Sequence, residues 1–459
     1  MELSVRNIGL VEEANIKLEG LTIIAGENDT GKSTIGKTIF AIIKGMNSHH
    51  KDFIEDKILQ FEDITEKIYF AIRRLSRNIH IEAGEDVRYI TVFNKVSKNI
   101  HPPMVKRKIL SYLNLEDYEG LEKYIMLYTD DALMAAKDLG IPMEEIGELD
   151  SLIAQLEMEV KASQDPQNYI FRSIMFTLRS EFGTDLCNKF TKKLSEIKYD
   201  ENGEVIFKAS LKNNNIRKAS YSITPLEIED VTYIESPLIF QMHKMILETN
   251  IFQNERKVLK GKDNKIGSIP FHMKDLISKM SNSTYYEFDL KSENLNFVEQ
   301  ISNIIEGNSI FDKDTDEFLF ERSFHGETYS FNTSNVASGI KSFSMIQMLL
   351  KAQVINQKSI LILDEPENHL HPKWQIKYCE IIVKLVSMGV RVVINSHSPY
   401  IIQALKVLAN KYEINDSVNF YLAEKDIENQ TTMINNVNDD LNSVFKKLSD
   451  PLQNLVWEQ

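Results

Sequence analysis

Ten residues near the N-terminus constrain this chain more than any other stretch: Ala25-Gly26-Glu27-Asn28-Asp29-Thr30-Gly31-Lys32-Ser33-Thr34. Gly26, Gly31, Lys32 and Ser33 fit the spacing G-x-x-x-x-G-K-[ST]. The flanks supply the context that this spacing needs. Leu21-Thr22-Ile23-Ile24-Ala25 is a short β-branched run between Gly20 and Gly26 and predicts a buried strand. Ile35, Ile39, Ile42 and Ile43 recur at helical spacing, so a helix follows Ser33. Strand, glycine loop and helix N-terminus together make an anion cradle, because backbone N–H groups and the helix dipole both favour negative charge there. Gly26 and Gly31 permit a close backbone approach that a side chain would block. Lys32 is expected to reach the β- and γ-phosphates of a nucleoside triphosphate, and the Ser33 hydroxyl to ligate Mg²⁺. Glu27, Asn28, Asp29, Thr30 and Thr34 complete the expected phosphate-binding set.

At 459 residues the chain is too long for one simple core, and two or three structural units are expected. Its 42% hydrophobic and 26% charged content is that of a soluble globular protein. The net charge of −14 argues against indiscriminate nucleic-acid binding, although it allows a local basic patch. Cys187 and Cys379 are the only cysteines and lie far apart, so neither a disulfide framework nor a zinc site is expected. Met1 to Arg6 do not form a secretory signal, and no apolar run reaches the roughly 18 residues of a membrane span. The expectation is a cytoplasmic protein without a membrane partner.

Residues 2–25 read as strands that form a small antiparallel lobe leading into the glycine loop. Between 46 and 200 the texture changes to charged and apolar residues interleaved at helical spacing. Ile146, Leu149, Leu152, Ile153, Leu156 and Val160 form one such stripe, which reads as ordinary helix–helix core. Heptads are not sustained, so a long coiled-coil arm is not expected. We therefore expect a discontinuous α/β head at 1–45 and 201–459 with a helical insertion at 46–200. A hairpin is expected over 203–223, turning at Asn213-Asn214-Asn215, and a further strand at Val231-Thr232-Tyr233-Ile234. Strands are also expected at Glu317–Glu321 and Glu327–Phe331. The basic stretch from Arg256 to Lys265 lacks aromatics and reads as a solvated loop.

Two more motifs follow apolar runs in the C-terminal half. Ser359-Ile360-Leu361-Ile362-Leu363 and Val390-Arg391-Val392-Val393-Ile394 are near-continuous, as in parallel strands buried on both faces of a three-layer core. Asp364-Glu365-Pro366 ends the first. Asp364 is placed to hold Mg²⁺, and Glu365 to accept a proton from an attacking water. Asn395-Ser396-His397-Ser398-Pro399 ends the second, and His397 can hydrogen-bond a γ-phosphate or position the water.

In their order, the glycine loop with Lys32, Ser338-Gly339, Asp364-Glu365-Pro366 and His397 resemble ABC-type ATPases. The phrasing of Glu365 to Pro372 and of Ser396 to Pro399 is similar to the RecF, SMC and OLD-nuclease group of AAA-family ATPases rather than to transporters. The resemblance covers about residues 1–45 and 225–425. It implies an ABC-type head that binds ATP with Mg²⁺ and dimerises head-to-tail. Ser338 and Gly339 would then contact the γ-phosphate held by the other protomer, and Asn368 to His371 would cross the dimer interface. Ile340-Lys341 stands where transporters have glycine and glutamine, which leaves Lys341 as an extra candidate phosphate contact. The family's glutamine loop is not identifiable; Gln60 and Gln241 are both candidates.

These readings lead to an ATP-hydrolysing conformational switch. An OLD-type nuclease on the same chain is not expected, because only about 60 residues follow His397; any nuclease would be a partner chain. Size and layout resemble the stand-alone ATPases of the anti-phage systems Septu and PARIS, which implies a separate nuclease or toxin as effector. The alternative is a RecF- or SMC-like ATPase that binds DNA in repair or replication.

Overall fold

A computed structural model describes residues 1–47, 51–82, 93–115, 117–142, 146–163, 166–191, 193–222, 226–248, 269–284, 292–368 and 370–448. The stretch from Arg256 to Lys265 and His369 lie outside them. The chain divides into two compact units, one of Met1–Asn47 with Ile174–Gln459 and one of Ser48–Ser173.

The larger unit is built on an 11-stranded sheet. Its first strands are β1 (Glu2–Ile8), β2 (Val11–Lys17) and β3 (Leu21–Gly26). β4 (Ser195–Glu201), β5 (Glu204–Lys212), β6 (Asn215–Tyr221) and β7 (Asp230–Ile234) follow the helical unit. β8 (Asn308–Asp312), β9 (Glu317–Phe324) and β10 (Glu327–Asn332) form a separate three-stranded sheet. β11 (Ser359–Asp364), β12 (Arg391–Ser396), β13 (Val418–Asp426) and β14 (Thr431–Asn436) complete the large one, in the order β6-β5-β4-β1-β2-β14-β13-β3-β12-β11-β7.

From β13 to β7 the strands are parallel, and β6 to β2 form an antiparallel run. The antiparallel lobe expected before the glycine loop is therefore continuous with the core sheet, joined through β14. β4 to β6 extend it, so residues 174–200, assigned to the insertion by sequence, sit with the head. The cause is pairing: Leu3, Val5 and their neighbours on β1 face Tyr199 and Ile197 across the ladder. The β5–β6 hairpin turns at Asn213 and Asn214, with φ of 53° and 60°, the left-handed pair of a type I′ turn.

Parallel strands need cover on both faces, and alternate side chains choose the side. On β11 and β12, Leu361, Leu363, Val392 and Ile394 join a core with Phe343, Ile382 and Ile402. Ile362 points the other way, toward helix α1 (Lys32–Asn47). A methyl group at Gly36 of α1 would come within 2.8 Å of Tyr233 and 3.1 Å of Ile362, so this glycine lets the helix lie close on the sheet.

The smaller unit is helical: α2 (Lys51–Glu82), α3 (Pro102–Asn114), α4 (Tyr118–Asp138) and α5 (Gly147–Ser163). Helix α6 (Pro166–Phe182) runs across the boundary at residue 173. The unit's core draws Phe61, Ile68 and Ile72 from α2, Ile109 and Leu113 from α3, Tyr128 and Ala132 from α4, and Leu149 and Leu156 from α5. The stripe read from sequence over 146–160 is part of that core, with Ile146, Leu149, Ile153, Leu156 and Val160 all buried. No helix among the described residues is long and apolar enough to cross a membrane.

Candidate functional site

The motifs converge because β3, β12 and β11 are adjacent and parallel. Ser396 is paired with Ala25 and Asp364 with Asn395, so all three motifs leave the sheet at one edge. Carboxyl ends of such strands are where α/β proteins bind ligands.

At the end of β3 the glycine loop is closely fitted. A methyl group at Gly26 would approach the Ala423 carbonyl oxygen to 2.8 Å, and one at Gly31, where φ is 72°, would approach Val11 to 2.9 Å. Thr30 donates to the Glu27 carbonyl at 2.8 Å. Asp29, with φ of 64°, forms an ion pair with Lys425 of β13. The Lys32 ammonium is buried and donates to the carbonyls of Gly26 at 3.0 Å and Glu27 at 2.6 Å. Burial lowers its pKa, while the charges of Glu365, Asp364, Glu367 and Glu27 oppose that shift. A desolvated lysine facing a set of carboxylates is poised for an anion that brings its own countercharge.

Asp364 is held from both sides. Tyr233 donates to its Oδ2 at 2.6 Å and Asn395 to its Oδ1 at 2.8 Å. Burial, and then the Asp364 charge, push the Tyr233 hydroxyl well above its ordinary pKa, so it remains a donor. Glu365 occupies a left-handed backbone conformation, φ 49°, anchored by its N–H to the Asn395 carbonyl at 2.9 Å. For a non-glycine residue such a conformation costs on the order of 1 kcal/mol and tends to mark functional positions. Asn368 donates to the Glu365 carboxylate at 3.0 Å.

His397 lies with Nδ1 3.4 Å from Glu365 and 3.3 Å from Glu367. Glu367 is the residue that sequence reasoning passed over. Its Oε1 accepts from the Ser396 hydroxyl at 2.8 Å, the His397 N–H at 2.8 Å and the Ser398 N–H at 3.1 Å, and so fixes the histidine loop. Its glutamate sits one residue past Pro366, and only the fold shows what it grips.

The other candidates take no part in these hydrogen bonds and ion pairs. Ser338 and Gly339 open the helix Ser338–Lys351, packed so that a methyl at Gly339 would lie 3.2 Å from Trp374. Neither is among the hydrogen-bond or charge partners of Lys32. Lys341 is buried in the first turn of the same helix, and burial lowers its pKa. Gln60 is on α2 in the helical unit, and Gln241 is exposed on helix α7 (Ile239–Glu248). The residue that follows β7 beside Asp364 and Glu365 is Glu235.

The residues fit a nucleotide with a hard cation. Ser33 and Asp364 would hold Mg²⁺, and the oxygens Glu367 Oε2 and Asn395 Oδ1 are buried acceptors without a donor among the described residues, as a site for hydrated charge requires. No three acidic, histidine or cysteine side chains among the described residues form a metal cluster of their own. A cation delivered with phosphates and keeping its waters does not need one.

Fold and site define a P-loop nucleotide-binding head of ABC type. Residues 1–402 match the AAA ATPase domain, and the chain belongs to that family. Similar solved structures include the SMC head domain from Thermotoga maritima, at 12% identity and a TM-score of 0.37, covering 95% of this chain and 98% of that one. Another is an SmcHead bound to the C-winged helix domain of ScpA, at 9% identity and a TM-score of 0.39, covering 97% and 98%. A third is the Smc head domain with an extended coiled coil bound to the C-terminal domain of ScpA, from Pyrococcus furiosus, at 10% identity and a TM-score of 0.30, covering 98% of each. None of the curated proteins matches the chain.

Proposed function

We propose that this chain is an ATP-hydrolysing conformational switch. The observation that carries the reading is the convergence of Lys32, Asp364, Glu365 and His397 at the ends of three neighbouring parallel strands. Lys32 and the loop N–H groups bind the phosphates, and Gly26 to Thr34 wrap them. Ser33 and Asp364 would hold Mg²⁺, which would supply countercharge to the phosphates. Glu365 accepts the proton of the attacking water, and His397 orients that water or the γ-phosphate.

Two protomers assemble head-to-tail, each lending Ser338 and Gly339 to the nucleotide of the other. A helix N-terminus carrying a serine hydroxyl is a suitable cap for a γ-phosphate, and neither residue is among the hydrogen-bond or charge partners of Lys32 in its own chain. Hydrolysis separates the heads and passes the change to an effector chain, a nuclease or toxin, in anti-phage defence. The defence role rests on resemblance in plan to Septu and PARIS ATPases.

Sedimentation of the Glu365→Gln protein with ATP and Mg²⁺ tests the switch: a dimer that Ser338→Arg abolishes, with ATP binding retained, is expected. A monomer that hydrolyses ATP at full rate sinks the head-to-tail reading. Salt-dependent DNA binding by the purified chain would move the role toward repair or replication.

A further inference from the structure

A sheet edge leaves a row of backbone N–H and C=O groups without a neighbouring strand, and proteins usually cover such a row or charge it. Among the described residues the head has two sheets and four edges: β6 and β7 on the large sheet, β8 and β10 on the small one. Three of them are guarded. Lys279 of helix α8 (Phe271–Ser281) donates to the Val231 carbonyl of β7 at 2.7 Å. On β8, Gln347 accepts from the Ser309 N–H at 2.7 Å and Lys351 donates to the Ser309 carbonyl at 3.3 Å, both from the helix that opens at Ser338. β6 carries Arg217 and Lys218, both exposed, and charges on an edge discourage a further strand.

β10 has none of these guards. Among the described residues it is bonded to β9 alone, and Glu327 to Phe331 are all exposed. Thr328-Tyr329-Ser330-Phe331-Asn332 contains no charge and no proline. Alternate side chains of a strand share a face, so Tyr329 and Phe331 lie on the same side. Phe331 stands opposite the buried Phe320 across the ladder, and Tyr329 opposite Arg322. A row of aromatics thus runs out of the core to the open edge, where Tyr329 is 45% and Phe331 46% exposed.

We propose that a second copy of this chain takes this edge, the two β10 strands pairing antiparallel to join the small sheets into one of six strands. The strand's self-complementarity names the occupant. Directly opposed residues of an antiparallel pair share a face, so the two-fold axis passes through a residue. With Ser330 on the axis, Tyr329 stands opposite the partner's Phe331, and Thr328 opposite the partner's Asn332. Two aromatic cross-strand pairs form, of the kind that stabilises sheets. Glu327, the only charge on β10, falls beyond the end of the partner strand, so no like charges are opposed. A strand from an unrelated chain would need no such match about Ser330. The contact uses no residue of the nucleotide site and stands apart from the reading of that site.

The test is sedimentation of the full-length chain in EDTA without nucleotide, over rising concentration. The interface is small, so reversible association is expected at about 10–100 µM. Tyr329→Lys and Phe331→Lys, each charging the open edge, should weaken it at least about tenfold. A short thiol-reactive cross-linker then reads the register. Ser330→Cys should be linked to its twin, above the background that part-exposed Cys187 sets in wild type. Thr328→Cys should not, because its twin lies four residues along the strand, about 13 Å away; mixed with Asn332→Cys it should be. A wild type that stays monomeric throughout overturns the proposal and leaves the edge for a strand of another protein. Self-association that both lysine variants leave unchanged overturns it as well. Thr328→Cys linking to its twin as fast as Ser330→Cys overturns the register.

Discussion

The two units bury their polar groups in opposite ways. In the helical unit the buried Thr65, Ser76 and Thr129 hydroxyls are satisfied by their own helices, and that of Tyr128 crosses from α4 to the Thr65 carbonyl. Thr65 donates to the Phe61 carbonyl at 2.7 Å, Ser76 to Ile72 at 2.7 Å and Thr129 to Met126 at 2.8 Å. In the head, Thr38 likewise bonds within its helix, but buried carboxylates draw partners from across the sequence: Tyr233 and Asn395 to Asp364, Ser396 to Glu367, His272 to Glu181. A hydroxyl bonded within one helical turn costs little and fixes nothing distant. A buried carboxylate demands partners, and those partners lock strands, loops and helices in register. The head is thus organised around charge, and the helical unit around volume.

The largest consequence concerns turnover. Glu365→Gln should slow ATP hydrolysis by about 10²- to 10⁴-fold, the span of a lost general base, with ATP affinity retained. Turnover near wild type would remove Glu365 from that role. Next comes volume. Leu156→Ala, at a fully buried position of the helical core, should cost about 2–5 kcal/mol in chemical denaturation. Nucleotide affinity at temperatures where the protein stays folded should not change. Loss of ATP binding in that variant would break the contrast between the units.

A third effect is a pH dependence confined to the head. Burial disfavours the His272 imidazolium, but the Glu181 charge and the hydrogen bonds to Glu181 and Glu235 outweigh it and raise its pKa from 6.5 to about 9. The group's pKa is therefore higher folded than unfolded. Its stabilisation is complete below about pH 6.5 and is lost as pH rises through about 9, amounting to no more than about 3 kcal/mol. Denaturation midpoints of wild type should fall across that window, and those of His272→Gln should be flatter. Parallel losses in the two proteins would deny His272 its charge.

The same contrast explains what the sequence made legible. Gly26 to Thr34, Asp364-Glu365 and Asn395 to Pro399 each place their chemistry directly after an apolar strand, so the strand, the turn and the function are read together. The helical stripe from Ile146 to Val160 was legible for a different reason: volume-driven cores repeat every three or four residues. What stayed hidden had no local period. Tyr233 and Asp364 are 131 residues apart, and His272 and Glu181 are 91. Each looks unremarkable in its own segment. The extent of the head was obscured similarly, because β4 joins β1 across the whole helical unit and nothing within 195–201 names its partner.

The smallest effects discriminate most sharply between the two kinds of burial. Tyr233→Phe keeps the ring and removes one hydroxyl, leaving Asp364 Oδ2 without the donor now 2.6 Å away. A hydrogen bond to a charged group is worth about 1.5–3 kcal/mol, so stability should fall by that amount. Thr65→Val also removes one buried hydroxyl, and Thr65 is only 1% exposed. The Phe61 carbonyl, however, belongs to a continuous helix and keeps its ladder partner, the Thr65 N–H. No acceptor is stranded, and the cost should stay below about 1 kcal/mol. Equilibrium denaturation of the two single variants and the double variant settles it. If Thr65→Val costs as much as Tyr233→Phe, hydroxyl burial alone sets the energy and the distinction between the units fails. If the two effects differ as stated and add in the double variant, the long-range partner of Tyr233 is what makes its hydroxyl matter.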